Sequence, residues 1–405
     1  MRKEKILLNT MIVIFFISII ISHQILSKNE TSSMVAYFNK KKSQELFVRQ
    51  LYERMDKLEL DCKTTITLSA TGDIMFHTPQ VYSAYNSEKK EYNFYPMFQY
   101  VKKYIESADI AIGNFETVTA GPEHGIEGYP LFNTPKTVVK ALKDVGFDIL
   151  STANNHSLDR GKEGIIETID NIKKYGLENI GTYKKDDREV LIKSIKGIKV
   201  GLLSYTYGCN GMERLLSEEE LNYMVNIIDE EKIKKDIKKV EEKGADITVV
   251  FLHWGNEYQR KPSKNQITLA EKMIRWGADI ILGSHPHVIQ KSKILQYKGE
   301  EKFVIYSMGN FISNQRYETL KNRYTEDGVI VKIQIEKDFY NNKTKIKDIK
   351  YIPTWVNRYR KQGKFRYEIL PVEEYINGSS TRFNSSVIER MKKSYNHTMK
   401  NMDQN

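Results

Sequence analysis

The sequence predicts an α/β fold with helices covering both faces of its sheet. Amphipathic helical stretches alternate with short strand-like runs, and those runs are almost continuously apolar, as strands buried on both faces require. A length of 405 residues with 40% hydrophobic content allows a large core and excludes a disordered chain.

At the N-terminus, Arg2, Lys3 and Lys5 precede the apolar run Ile6 to Leu26, whose centre is broken only by Ser18. As a helix this run would span roughly 30 Å, the thickness of a bilayer core. Residues 1–27 are therefore read as a cytoplasmic flank and single membrane anchor, which places the remainder outside the cell. A cleaved signal peptide is the competing reading, but Ile20 and Ile25 stand where small residues should precede cuts after Ser22 and Ser27. Residues 28–63 form a polar spacer in which Phe47, Leu51, Met55 and Leu58 recur at helical spacing.

From Thr65 the α/β pattern begins. ITLSATGD and ADIAIGNFE each read as a strand followed by a loop, and KTVVKALKDVGFDILSTANNH as helix, Gly stop, strand and polar loop. Asp159 to Tyr175 is a helix with Ile165, Ile166, Ile169 and Ile172 on one face, closed by Gly176. KVGLLSYTYG adds a strand. The stretches ending in ADITVVFLHWG and GADIILGSHPH repeat helix, Gly cap, buried strand and polar tip, the second opened by a capping box of Ser263 and Gln266. KFVIYSMGNFISN and DGVIVKIQI supply further strands. Residues 64–371 thus form the α/β domain, and residues 372–405 a polar tail with short helices and a disordered end.

The formal charge of +11 favours anionic surroundings such as a membrane surface, a cell-wall polymer or an acidic substrate, but Lys, Ile, Asn and Tyr are abundant throughout, which assigns most of the charge to general composition. Scattered basic residues without a recognition motif argue against nucleic acid. Cys62 and Cys209 allow one disulfide or two separate thiols and lack metal-site spacing, so no zinc ribbon is present.

Polar residues of such sheets gather beyond the strand ends. Six fall there: Asp73, Glu116, Asn155, His253, His285 and His287. Two carboxylates, an amide oxygen and three imidazoles suit manganese, iron or zinc better than calcium or magnesium, which prefer oxygen shells. Six ligands exceed what one ion needs, so two divalent ions are expected, able to activate water at neutral pH and hold an attacked centre.

The blocks GDIM, GNFE, ANNHSLDRG, HWGNEY, GSHPHVIQ and YSMGNFISNQ, in this order between about Thr65 and Pro371, closely resemble the CapA family of capsule synthesis, which makes or exports poly-γ-glutamate. That family is similar in turn to the calcineurin-like metallophosphoesterases. The resemblance implies a four-layer α/β/β/α sandwich with a dinuclear site. It implies that Asp73 binds the first metal, that Glu116 takes the place of the bridging carboxylate, that Asn155, His253 and His285 serve the second metal, and that His287 returns to the first. His156 would match the histidine that protonates a leaving group. The partners implied are poly-γ-glutamate or another anionic surface polymer, the membrane, and membrane subunits of a synthase or exporter.

Departures stand beside the likeness. Met75 occupies the place of the phosphoesterase histidine two residues after the first aspartate, with His77 nearby. Glu replaces Asp at the bridge, and Ser313 and Asn314 replace an apolar residue and an aspartate. Asn154 is read as bracing the Asn155 loop, and Asp159 either as a partner of His156 or as a helix N-cap. Glu257 either holds His253 or is solvated beside Tyr258, and Asn310 supports the site from the last block. His124 is an exposed loop residue in Thr119–Asn133, a loop long enough to shape a substrate entrance. The functional expectation is a metal-dependent hydrolase acting on capsule polymer, against two alternatives: a phosphoesterase for another substrate, or a non-catalytic polyanion-binding scaffold.

Overall fold

The computed structural model describes residues 33–185, 188–376 and 382–402. The run Ile6 to Leu26, read above as a membrane anchor, lies outside them. Among the described residues no helix is long and apolar enough to cross a membrane. The chain divides after Cys62 into two compact units. In the first, α1 (Ser33–Asp61) runs through most of the polar spacer, well beyond the stretch with apolar residues at helical spacing, and its Leu46, Phe47, Val48 and Tyr52 are exposed.

The second unit opens with β1 (Lys63–Ile74), α2 (Thr78–Ala84), the small strands β2 (Tyr85–Asn86) and β3 (Glu91–Tyr92), α3 (Lys102–Ile105) and β4 (Ile110–Phe115). There follow α4 (Thr137–Val145), β5 (Ile149–Ser151), α5 (Gly161–Lys174), β6 (Glu178–Ile180), β7 (Leu191–Ile195) and β8 (Ile198–Thr206). Next come α6 (Glu218–Met224), α7 (Glu230–Glu242), β9 (Ile247–His253), α8 (Lys264–Trp276), β10 (Ile280–Ser284), β11 (Ser292–Tyr297) and β12 (Glu300–Ile305). The unit ends with β13 (Asn310–Ile312), α9 (Tyr317–Leu320), β14 (Asp327–Asp338), β15 (Lys343–Lys361), β16 (Lys364–Pro371), α10 (Glu373–Ile376) and α11 (Ser385–Met399).

These strands build two large sheets. The first runs β16-β15-β14-β1-β4-β5-β6, with β13 also paired to β1; the second runs β11-β12-β10-β9-β8-β7. Strands β1, β4, β5 and β6 are mutually parallel, as are β8, β9, β10 and β12. Helices connect β1, β4, β5 and β6 in turn and β8, β9 and β10 in turn, β10 reaches β12 through β11, and the antiparallel strands β14–β16, β7 and β11 extend the edges.

Burial on both faces explains the apolar strand runs. One apolar layer joins the sheets: Ile66, Leu68 and Ile112 from the first sheet with Val200, Val249, Phe251 and Leu282 from the second. Helices α3 and α4 cover the outer face of the first sheet through Ile105, Val138, Leu142 and Val145, and α7 and α8 cover that of the second through Ile233, Ile237, Ala270 and Met273. Each such Leu, Ile or Val contributes about 1.5–3 kcal/mol. Helix stops are where the sequence placed them: Gly146 and Gly277 end α4 and α8 in left-handed conformations, and the Ser263–Gln266 capping box opens α8.

The C-terminal segment departs from the expected polar tail. Helix α11 packs Met391 against Trp355, Leu370 and Val372, and the Arg390 guanidinium bonds Asp327 at 2.7 Å. The apolar stripe Val387, Ile388, Met391 and Tyr395 is narrow, so Asn and Ser dominate the composition while the packing face is hidden among them.

Candidate metal centre

Parallel strands in both sheets deliver their carboxyl ends to one place. Asp73 lies near the end of β1, Glu116 just beyond β4, Asn155 past β5, His253 at the end of β9, and His285 just beyond β10. Two close backbone approaches set this register. A Cβ on Gly72 would lie 1.9 Å from the Gly309 carbonyl oxygen, and one on Gly283 would lie 2.0 Å from that of Tyr306. Only glycine lets these strands meet, and the Asp73 amide then donates to Gly309 at 3.0 Å. Beyond β10 the turn is strained: His285 and His287 both hold left-handed conformations, with φ of 94° and 57°. Strain of this kind persists where surrounding structure fixes a functional geometry.

The six predicted ligands converge, and all are buried. Glu116, His253 and His285 present donor atoms within 4.8 Å of one another, as do Asp73, Glu116 and His287. Glu116 is common to both groups. Its Oε1 lies 3.6 Å from His253 Nε2 and 3.8 Å from His287 Nε2. Asn155 joins through its amide oxygen, 2.9 Å from His253 Nε2. His287 Nδ1 is 3.1 Å from both Asp73 Oδ2 and Asn310 Oδ1, which puts Asn310 behind the ligand as expected.

Whether these residues suit cations is testable on their own chemistry. Glu116 Oε1 and His285 Nδ1 are fully buried and have no hydrogen-bond partner. Burial, then the adjacent Asp73 carboxylate, holds the Glu116 carboxyl well above the ordinary carboxylate range. Burial pushes His285 down to about 3, and burial with the neighbouring imidazoles keeps His253 well below the ordinary histidine value. Crowded carboxylates raise each other's proton affinity, and buried imidazoles stay neutral with a lone pair to give. Divalent cations relieve both, so the donor set fits metal binding.

Beside this cluster, His156 Nδ1 lies 2.7 Å from Asp159 Oδ2, which also accepts the Phe132 amide at 2.6 Å. Asp159 therefore serves as the partner of His156 and not as the N-cap of α5, whose N-cap is Arg160. Phe132, from the Thr119–Asn133 loop, packs perpendicular to the His156 ring with centroids 4.7 Å apart. Asn154 braces the loop: its side chain accepts from the His156 amide and donates to the Phe115 carbonyl. Of the two expectations for Glu257, the structure agrees with the solvated position beside Tyr258, whose hydroxyl donates to it, and its carboxylate groups with His285 and His287 and not with His253. It is exposed, so it borders the mouth of the cluster. Met75 is buried, while His77 lies against Phe132 with its imidazole lowered to about 4 by burial first and then by His287. Cys62 and Cys209 are both free.

Three participants were missed in the sequence. Asn114 sits among the ligands, donating to Asp73 Oδ1 at 2.8 Å and Glu116 Oε2 at 3.4 Å and lying 3.1 Å from His253 Nδ1. Strand periodicity was the available signal, because residues two apart share a face. Ser284 lies 3.1 Å from His253 Nδ1. Tyr207, half exposed, sets its ring 4.6 Å from that of His285 and nearly parallel to that of His253.

Similarity to known proteins points to one bacterial family. The family model described as Bacterial capsule synthesis protein PGA_cap matches residues 67–315. The capsule biosynthesis protein CapA of Bacillus anthracis is 31% identical over 268 residues, covering 64% of this chain and 62% of that one. The PGA biosynthesis protein CapA of Bacillus subtilis (strain 168) is 30% identical over 253 residues, covering 60% and 62%. The chain thus spans less than two-thirds of the length of these curated relatives. Among solved structures, the calcineurin-like phosphoesterase YfkN from Bacillus subtilis aligns with a TM-score of 0.43 and 16% identity over 84% of this chain and 98% of that one.

Proposed function

Because the chain belongs to the bacterial capsule synthesis protein family, we propose that it is a metal-dependent hydrolase-type protein that acts on or handles poly-γ-glutamate or a comparable anionic surface polymer. The observation that carries this reading is the pair of buried donor groups sharing Glu116. Two ions, of manganese, iron or zinc, suit the mixed oxygen and nitrogen set. Residues 1–27 would anchor the protein in the cell membrane, with residues 64–371 outside and synthase or exporter subunits beside it.

Asp73, Glu116 and His287 would hold one ion, and Glu116, Asn155, His253 and His285 the other. Such ions, when bound, supply activated water and neutralise charge developing at a carbonyl or phosphorus centre. The chain's own residues supply the rest. Asp159, accepting from the Phe132 amide, orients His156 through Nδ1, leaving Nε2 to pass a proton to a departing group. Phe132 packs on that imidazole and limits water around it. Tyr207 and Glu257 flank the histidines from the exposed side, where a substrate must enter.

Metal analysis of the full chain, paired with a screen of γ-glutamyl polymer and phosphoesters, tests the proposal. The expected result is bound metal, turnover, and a loss of about 100-fold or more in His156→Ala with metal content unchanged. Full metal loading without cleavage of any of these substrates would overturn the hydrolase reading.

A further inference from the structure

We propose that the β15–β16 hairpin and the groove beside it form a docking surface for an acidic polymer chain and hold its carboxylates next to the metal centre. The inference rests on the polymer-handling reading above and locates it on a surface that the catalytic cluster does not use.

The nine residues Arg358–Arg366 contain five cations, Arg358, Arg360, Lys361, Lys364 and Arg366, and no acid. Pairing sets Tyr359 opposite Arg366, Arg360 opposite Phe365 and Lys361 opposite Lys364. Directly opposed side chains share a face, so two lysines confront each other on the same side as Tyr359 and Arg366, an arrangement that costs stability. Of the five, Arg358 is ion-paired, to Glu318 at 3.2 Å. Among the described residues no carboxylate pairs with the other four, whereas surface lysines such as Lys140, Lys184 and Lys272 each hold an acid. The turn residues Gln362 and Gly363 both have positive φ, 51° and 76°, as in a tight two-residue hairpin turn, so the charges are presented on a preorganised ribbon.

A groove of about 400 Å³ lies against this face, lined by Tyr85, Asn86, Tyr359, Lys364, Arg366 and Tyr367, with Glu88 as its single acid. Arg366 donates across it to the Ser83 carbonyl at 2.7 Å. At its inner end the Tyr367 hydroxyl donates to Asn314 at 2.7 Å, and the Asn314 amide lies 3.4 Å from His77 Nδ1. A hydrogen-bonded chain through Tyr367 and Asn314 thus links the groove to His77, which packs on the same Phe132 ring as His156.

Arginine forks match carboxylates in a way that a diffuse charge does not need. Phe365 lies 4.6 Å from both Arg358 and Arg360, so its ring is not presented for the base stacking that single-stranded nucleic acid would use. A concave groove suits a chain and not a flat lipid surface. Charged side chains on an edge strand such as β16 also block unwanted sheet pairing, but that role is served by either sign of charge. Reversal of sign separates the two roles.

The test uses the full chain in mild detergent, with labelled poly-γ-glutamate as probe and single-stranded DNA and phosphatidylglycerol vesicles as comparators. Wild type is expected to bind poly-γ-glutamate, with affinity falling at least tenfold between low and high salt. The triple variant Arg360→Glu, Lys361→Glu, Lys364→Glu should lose binding at least tenfold while keeping the wild-type metal content and unfolding midpoint. Unchanged binding in that variant, or vesicles or DNA captured in place of polymer, overturns the proposal. Polymer bound through the hairpin in a protein that cleaves nothing sinks the hydrolase reading and leaves this one standing; cleavage of small esters without hairpin-dependent polymer binding does the reverse.

Discussion

At the scale of residues, Asn114 shows how a neutral amide can organise a charged cluster. It reaches Asp73, Glu116 and His253 at once, and groups that orient ligands in this way typically account for 10–100-fold in metal affinity. Asn114→Ala is expected to keep the fold and lose about that factor, measured by competition with a chelator. The ligands themselves were legible because histidines and acids beyond apolar strands are chemically out of place. Asn114 was not, since an asparagine inside an apolar run has bland explanations, and the nearness of Glu257 to His285 and His287 was hidden because those residues are distant along the chain. A second residue gives a pH test. Burial, and then Arg188, lowers Lys232 from 10.5 to about 8. Between those values the unfolded chain binds the proton that the folded chain gives up, so this residue's contribution makes stability rise with pH across the window. The difference in denaturant midpoint between wild type and Lys232→Met should therefore move in favour of wild type between about pH 7.5 and pH 9.5, while the groups common to both proteins cancel.

At the scale of elements, the contact of β1 with the Gly309 turn admits no side chain. Gly72→Ala, placing a methyl 1.9 Å from a backbone oxygen, is expected to cost roughly 3 kcal/mol or more by forcing the strands apart, and calorimetry should also show weakened metal retention. Helix α11 offers a different lever. Arg390 is mostly buried and Asp327 almost fully so, at 14% and 2% side-chain exposure; Arg390 also lies 3.4 Å from Glu326, so removing it takes a shared cation from two buried carboxylates, of which Asp327 keeps only His397 at 3.6 Å. Arg390→Met should destabilise by about 3–5 kcal/mol, and adding Asp327→Asn should recover most of it. The central strands and the helices between them, the glycine stops and the capping box of α8 were readable from periodicity and local chemistry, whereas the edge strands β7, β11, β15 and β16 were not read. The packing of α11 was not, because four apolar residues in a polar stretch gain meaning only against Trp355 and Leu370. Nor was the hairpin: five cations that look dispersed along a basic chain become one surface when β15 folds back on β16.

At the scale of the whole molecule, the division into two sheets was implied by family likeness and not by composition, since an apolar strand reads the same in either sheet. The shared apolar layer between them sits beneath a cluster to which both contribute: Asp73, Glu116 and Asn155 from one side, His253 and His285 from the other. Metal held at 100 times its dissociation constant adds about 2.7 kcal/mol to folding, so chelation should lower the unfolding midpoint, and differential scanning calorimetry with and without chelator reads this directly. The placement of the donors has a mechanical corollary. A cation there acts as a rivet driven through two plates, and its removal should let the seam breathe along its length, so that amide exchange quickens in β1 and β9 together while the helix-covered outer faces keep their protection.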